Sequence, residues 1–334
     1  MRLIWSSLTD MVSIRVLCAG VCALAAAVLA HGQTWSPGKP VRFIVPQVAG
    51  GGADAIGRVI AAGLSERIGQ PLLVDNRPGA NGGVGAEALL RAPADGYSLL
   101  LVFTSLMALN PAVYDKVLYD SIADFRPLGS VCEVPLVMIA SLSVEASNAA
   151  ELVALAKAKP NLVFAASSGN GAFSHLLVEM LNSRAGIRLT HVPFKGEAPA
   201  VQHLMSNQGQ AIYIGTPVLA IPNVNAGRIK ALAVTTARRM EQLPNVASLS
   251  EQGVGDFNES FWYGIAAAAG TPASVADAYD RHVGDLARAP GVQQGLGKLG
   301  CAPMALNGRD FAARIKADLA KYSAIAKSVG MKVD

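Results

Sequence analysis

Two spacings of apolar residues alternate along the chain from residue 41 onward. Continuous apolar runs in "VRFIV" (41–45) and "YSLLLVF" (97–103) predict buried strands. Between them, Ile56, Val59 and Ile60 begin a pattern that places one apolar face every three or four residues, as in a helix. Strands separated by helices predict an α/β fold in which helices cover a parallel sheet on both sides.

The same alternation continues to the end of the chain. Further strands are predicted in "LVFAAS" (162–167), "QAIYI" (210–214) and "FWYGIAAAAG" (261–270), and further helices at 149–160, from Phe173 to Ala185, at 272–289 and at 309–330. We therefore predict two α/β lobes, one made of 34–134 plus 258–334 and the other of 135–257. The strands that cross between them predict a hinged cleft.

The N-terminus carries a separate signal. Arg2 precedes "VLCAGVCALAAAVLA" (16–30), an uncharged apolar run that ends in small residues. At about fifteen residues the run is short for a membrane span, which needs about twenty. We predict a signal peptide over 1–30, cleaved near Ala30, and an exported mature chain without membrane insertion. A retained membrane anchor is the alternative.

Composition narrows the classes of partner. Hydrophobic residues make up 51% of the chain and charged residues 16%, which is typical of a folded globular protein. The net charge of +4 is not concentrated in any basic run, so neither nucleic acid nor an acidic membrane surface is expected as a partner. This charge distribution fits a small-molecule ligand better than a nucleic acid or a membrane surface.

The cysteines allow two interpretations. Cys132 and Cys301 follow the predicted signal peptide, and in an oxidising compartment they can pair. Two buried free thiols are the simpler expectation. No C-x-x-C or H-E-x-x-H spacing occurs, so no metal site is expected.

The stretch "VPQVAGGGADAIGR" (45–58) raises the question of a nucleotide. Gly50, Gly52 and Ala55 fit G-x-G-x-x-A, and Asp75 follows where a ribose-binding acid would stand. Four residues separate Val45 from the glycines, however, and a dinucleotide turn needs the first glycine almost directly after the strand. Free N–H groups at a helix start bind a carboxylate as well as a phosphate. We therefore expect a carboxylate site and no cofactor.

Ligands of open α/β sheets bind at the carboxyl ends of strands. The candidate binding loops are 46–53, 104–108, 167–172 and 193–197. Asp54 either caps its helix or contacts the ligand, His175 either packs or faces the cleft, and Lys195 is either solvated or neutralises a ligand carboxylate. Because no nucleophile stands in a context that pairs it with a base, we do not expect an enzyme.

Seven motifs, in order, resemble those of the Bug family, the TctC-like solute-binding proteins of tripartite tricarboxylate transporters. They are "VRFIVPQVAGGGADAIGR", "GQPLLVDNRPGANGGVGAE", "APADGYSLLL", "ASSGNGAFSHL", "HVPFKGEAPA", "GRIKALAVTT" and "FWYGIAAAAGTP". The resemblance implies a two-lobed periplasmic-binding-protein fold of type II with mixed, mostly parallel sheets. It also implies a small organic carboxylate as ligand and a permease of one large and one small subunit as partner. We expect a monomer.

The resemblance also assigns ligand-binding residues. The set predicted to bind the ligand comprises Gln47, Gly51, Gly52, Asp54, Thr104, Ser105, Ser167, Ser168, Gly169, Asn170, Gly171, His175, Phe194 and Lys195. The chain departs from the family pattern at Gln47, Val48 and Ala49, where an aromatic and prolines are usual, and at Phe194, where Tyr is common. Near Gln210 it also lacks an acid that the family usually has. A sensory binding protein and an exported enzyme on the same fold are the competing functions.

Overall fold

The apolar strand Val41–Val45 lies inside a six-stranded sheet. The computed structural model describes residues 35–333, and in it this sheet has the order β11-β4-β10-β3-β1-β2. Its strands are β1 (Val41–Val45), β2 (Leu72–Asn76), β3 (Ser98–Phe103), β4 (Phe125–Pro135), β10 (Ser260–Ala268) and β11 (Ala302–Pro303). β1 is parallel to β2 and β3, whereas β10 runs antiparallel to β3 and β4.

A second sheet of five strands has the order β7-β6-β8-β5-β9. Its strands are β5 (Val137–Ala140), β6 (Phe164–Ser167), β7 (Thr190–Pro193), β8 (Ala211–Gly215) and β9 (Lys230–Val234). β6 is parallel to β7 and β8, and β5 is antiparallel to β8 and β9. Both sheets are therefore mixed, and the predicted α/β class is confirmed.

Helices follow most strands, and they include the five that the apolar spacing predicts. They are α1 (Gly52–Ile68), α2 (Gly83–Leu90), α3 (Asn110–Val113), α4 (Ala149–Ala158), α5 (Phe173–Ala185), α6 (Glu197–Ser206), α7 (Pro217–Asn225), α8 (Ala273–Arg288), α9 (Pro290–Gly297) and α10 (Gly308–Ser328). No helix among residues 35–333 combines the length and the apolar character needed to cross a membrane. The predicted signal peptide lies outside the described residues.

Two crossings of the chain connect the sheets and are hydrogen-bonded to each other. Leu136 joins β4 to β5, and the segment 235–259 joins β9 to β10. Thr235 donates its N–H to the Leu136 carbonyl at 3.0 Å, and Glu259 donates its N–H to the Thr235 carbonyl at 2.9 Å. The Thr235 hydroxyl lies within hydrogen-bond distance of both crossings. This junction is where a hinge would act, and the division into two moving lobes stays a prediction.

The structure corrects the expectation of free thiols. Cys132 on β4 and Cys301 next to β11 form a disulfide, with their Cα atoms 5.7 Å apart. The two cysteines meet because Ala302 and Pro303 pair with Glu133 and Cys132 at the edge of the first sheet. A sequence separation of 169 residues gave no sign of this pairing.

Candidate functional site

A cavity of about 560 Å³ receives walls from both sheets. Phe103 on β3, Val134 on β4 and Tyr263 on β10 come from the first sheet, and Tyr213 and Gly215 on β8 come from the second. Its volume suits a small organic molecule.

Four helix N-termini meet at this cavity. The residues that cap α1, α5, α6 and α7 all lie on its wall, and none makes a side-chain capping hydrogen bond; they are Gly51, Ala172, Gly196 and Thr216. The first N–H groups of a helix have no intrahelical acceptor and carry a partial positive charge. Among residues 35–333, none of those lining the cavity is Lys, Arg or His. Helix N-termini rather than basic side chains therefore supply the attraction for an anion.

Asp54 fixes the glycine loop before α1 by hydrogen bonds and does not itself line the cavity. This carboxylate is buried and accepts hydrogen bonds from the Gly50 N–H, Arg58 Nε and Asn76 Nδ2, each at 2.9 Å. Burial opposes its ionisation, but these hydrogen bonds outweigh burial and hold the pKa of Asp54 at about 2. Gln47, Gly51 and Gly52 line the cavity, whereas Asp54 lies outside its wall and orients the loop.

Asp75, the acid that would bind the ribose in a dinucleotide site, forms ion pairs with two arginines. Asp75 pairs with Arg42 at 2.5 Å and with Arg77 at 3.0 Å. These pairs lie at the end of β2 and fix the turn that follows. Asp75 therefore has a structural role at this turn, and the choice between a carboxylate and a dinucleotide stays a prediction.

The Ser/Gly loop before α5 places one of its predicted residues on the cavity wall. Ser168 lines the cavity together with Ser174, and their hydroxyls lie 3.0 Å apart. The Ser168 N–H donates to the Ser174 hydroxyl at 3.0 Å, so this backbone donor is already used within the protein. Burial raises the pKa of Tyr213, and the neighbouring Ser168 and Ser174 oppose this rise.

The other residues of that loop that were predicted to bind the ligand do not line the cavity. Ser167 is fully buried with its hydroxyl 2.6 Å from His191 Nε2, and the Gly169 N–H donates to Ser167 Oγ at 3.2 Å. Gly171 adopts a left-handed backbone against Tyr114, and Asn170 is exposed. Their predicted ligand contacts stay predictions, and none of these residues lines the cavity in this structure.

His175 packs instead of facing the cavity. Its ring stacks on that of His191 with centroids 3.7 Å apart, and its Nδ1 accepts the Gly171 N–H at 3.3 Å. Burial, together with the neighbouring His191, lowers the pKa of His175 to about 4. The ring is thus neutral in the folded protein at physiological pH.

This packing predicts a pH dependence of folding stability. Below about pH 6.5 the unfolded chain takes up a proton at His175 that the folded chain refuses until about pH 4. The free energy of unfolding should therefore fall as the pH drops through that interval, and His175→Gln should flatten the dependence. Urea unfolding at pH 7.5, 6 and 5 measures it. An identical pH dependence in both proteins would contradict the assignment.

Of four further residues predicted to bind the ligand, the structure places one on the cavity wall, two in packed regions and one at the surface. Ser105 lines the cavity, whereas Thr104 is fully buried and its hydroxyl accepts the Trp262 N–H at 2.8 Å. Phe194 packs on the core of the second sheet, and Lys195 is exposed outside the cavity wall. The ligand roles of these residues also stay predictions.

Sequence reasoning did not single out Asn81 or Glu197. Asn81 lies on the wall in a left-handed conformation (φ 48°) and donates from Nδ2 to Asn110 Oδ1 at 2.6 Å. Glu197 is the first residue of α6 and the last of a predicted binding loop. Its carboxylate accepts the Thr216 N–H at 2.6 Å and the Thr216 hydroxyl at 3.0 Å, and burial raises its pKa. The turn "NRPGANGG" was the available signal for Asn81.

An aromatic cluster forms the remaining wall. Phe261 lies 5.7 Å from both Phe103 and Phe173 and 5.3 Å from Tyr263, measured between ring centroids. All four side chains line the cavity. The site therefore combines an apolar wall with polar groups at its edges. Across residues 35–333 no cluster of His, Cys, Asp and Glu has the arrangement of a metal site.

Comparison with known proteins gives one family match over most of the chain. A model described as "Tripartite tricarboxylate transporter family receptor" (TctC) matches residues 56–331. Protein BugT of Bordetella pertussis is 29% identical over 298 residues, which span 89% of this chain and 91% of BugT.

Solved structures give the same picture. Rpa4515 of R. palustris, solved with adipate, superposes with a TM-score of 0.80 at 30% identity and covers 89% of this chain and 99% of its own. MatC of Rhodopseudomonas palustris, solved with bound malate, gives 0.75 at 25% identity over 86% of this chain and 99% of its own. Both similarities extend over both sheets.

Proposed function

Because the chain belongs to the TctC family of tripartite tricarboxylate transporter receptors, we propose that it binds a small organic carboxylate in the periplasm and delivers it to a transporter of that type. The observation that carries the proposal is the convergence of four helix N-termini on one cavity whose described wall holds no basic side chain. Glu197 engages those of α6 and α7, and the caps of α1 and α5 lie on the same wall. Such a site binds an anion through oriented N–H groups. A catalytic role has no comparable support.

Closure around the ligand is the second part of the proposal. Both sheets contribute walls to the cavity, so a ligand that contacts both walls stabilises their approach. The hydrogen-bonded crossings at Leu136, Thr235 and Glu259 are the places where the backbone would turn. A closed protein presents a surface that a permease of one large and one small subunit distinguishes from the open one.

A thermal-shift panel tests ligand binding. A ligand at about a thousandfold its Kd adds about 4 kcal/mol to the stability of the folded state, which raises Tm by several degrees. We expect at least one mono-, di- or tricarboxylate, aliphatic or aromatic, to produce this shift, and NAD to produce none. Stabilisation by NAD without any response to the carboxylates would refute the proposal.

Ser168→Ala provides a matched test of the site. Because the Ser168 hydroxyl lies on the cavity wall, we expect a roughly tenfold loss of affinity for the stabilising carboxylate, with little change in the Tm of the free protein. Ser328→Ala, at an exposed position near the end of α10, should leave both unchanged.

A further inference from the structure

We propose that Glu197 acts as a built-in carboxylate that restricts the ligand to monocarboxylates with an apolar body and a hydrogen-bond donor directed at Glu197. The inference rests on the proposed function and names its ligand class.

Glu197 interacts with two of the four helix N-termini, those of α6 and α7. It is the first residue of α6, so its carboxylate compensates the dipole of that helix. The same carboxylate accepts the N–H of Thr216, the residue that caps α7, at 2.6 Å. The caps of α1 and α5, the two helices that follow the glycine loop and the Ser/Gly loop, lie on the wall without a contact to Glu197. Asp54 is an acid in the first turn of α1 and accepts the Gly50 N–H, whereas α5 has no acid in its first turn. The dipole of α5 is therefore the one left for an anion that comes from outside.

A second ligand carboxylate would have no cation to pair with beside Glu197. The described wall holds no Lys, Arg or His, and Glu197 lies close enough to Tyr213 and Tyr263 for its charge to raise the pKa of both, in addition to the effect of burial. Two carboxylates close together in a desolvated cavity repel each other strongly. A dicarboxylate therefore binds only if it or Glu197 takes up a proton. Burial raises the pKa of Glu197 and so lowers the cost of that proton, which leaves a moderate loss of affinity.

The Glu197 carboxylate can accept a further hydrogen bond from a donor group on the ligand. Its two oxygens offer about four acceptor positions, and Thr216 fills two of them with its N–H and its single hydroxyl proton, which lies within 3.0 Å of both oxygens. A hydroxyl or ammonium group on the ligand can fill a remaining position. The aromatic cluster Phe103, Phe173, Phe261 and Tyr263 contacts the body of the ligand, which favours a ring or an alkyl chain.

The test compares ligands matched in length by isothermal titration calorimetry on the wild-type protein. Adipate is paired with 6-hydroxyhexanoate, terephthalate with 4-(hydroxymethyl)benzoate, and every other dicarboxylate of the panel with its ω-hydroxy monocarboxylate. We expect the monocarboxylate that binds to exceed its dicarboxylate partner about tenfold or more in affinity.

Glu197→Gln tests the residue itself. The amide oxygen still accepts the Thr216 N–H, while the negative charge is removed. The preference for the monocarboxylate should shrink about tenfold or reverse. Glu241→Gln, an exposed position outside the cavity wall, should keep the wild-type preference.

The outcomes separate this inference from the proposed function. A dicarboxylate that binds the wild-type protein as tightly as its matched monocarboxylate overturns the inference and leaves carboxylate binding intact. An unchanged preference in a folded Glu197→Gln protein also overturns it. Failure of every carboxylate to bind overturns the proposed function and the inference together. If Glu197→Gln does not fold, the wild-type ranking alone decides.

Discussion

Replacing Lys321 with Met should lower the free energy of unfolding by about 2–3 kcal/mol, a large effect for a single substitution, although solvent at the partly exposed lysine limits it. Lys321 on α10 pairs with Glu259 at 2.6 Å, and the Glu259 side chain is only 2% exposed. The Tyr322 hydroxyl lies 3.3 Å from the same carboxylate and cannot replace the cation. Without Lys321 a buried charge is left uncompensated.

The expected loss also concerns the junction between the sheets. Glu259 is the last residue before β10, and its N–H binds the Thr235 carbonyl at the crossings. A change at Lys321 therefore loosens the point where α10 holds the returning strand. Urea unfolding followed by tryptophan fluorescence measures the effect.

Two further variants separate charge from packing. Lys321→Arg should retain most of the stability, because the cation is kept. The double variant Lys321→Met with Glu259→Gln should be less destabilised than the two single effects summed, because the uncompensated charge is gone. Additive effects in this double-mutant cycle would show that the pair does not interact.

The elements of the fold were largely predictable from apolar spacing. β1 at Val41–Val45 and α5 at Phe173–Ala185 have the predicted bounds, since each has a clear periodicity and a Gly-rich end. The long strand Phe125–Pro135 was not predicted, because polar residues and Pro127 interrupt its apolar pattern. The pairing of β10 between β3 and β4 explains it, since those contacts are far apart in sequence.

Family membership was also within reach of the sequence. The ordered motifs pointed to the TctC-like receptors, and the match over residues 56–331 confirms that resemblance. The motifs carry this information because their glycines and prolines mark turns that the fold needs at those places.

The candidate site was predictable only where it consists of consecutive residues. The glycine loop put Gln47, Gly51 and Gly52 on the cavity wall, and the Ser/Gly loop contributed Ser168. The aromatic wall joins Phe103, Phe173 and Phe261, residues that no local pattern connects. Glu197 was placed in a binding loop, but its role depends on Thr216, nineteen residues later.

Removing the disulfide should produce the second large effect. The variant Cys132→Ala with Cys301→Ala is expected to lose about 2–4 kcal/mol of unfolding free energy, which is below the roughly 5 kcal/mol that loop-closure entropy alone gives for so long a loop. The bridge closes a loop of 169 residues that contains the whole second sheet. Cys132 and Cys301 are both buried, so a reductant should act mainly on the unfolded chain.

The comparison uses protein exported to the periplasm, where disulfides form. In urea unfolding, the stability of the double variant should lie between that of the wild-type protein without reductant and that of the wild-type protein with reductant. Mass spectrometry after alkylation of the denatured protein should find Cys132 and Cys301 unlabelled in the wild type. Ligand affinity should change little, because neither cysteine lines the cavity. Alkylation of both cysteines, with equal stability of wild type and variant, would show that the thiols are free. That result would restore the expectation drawn from the sequence.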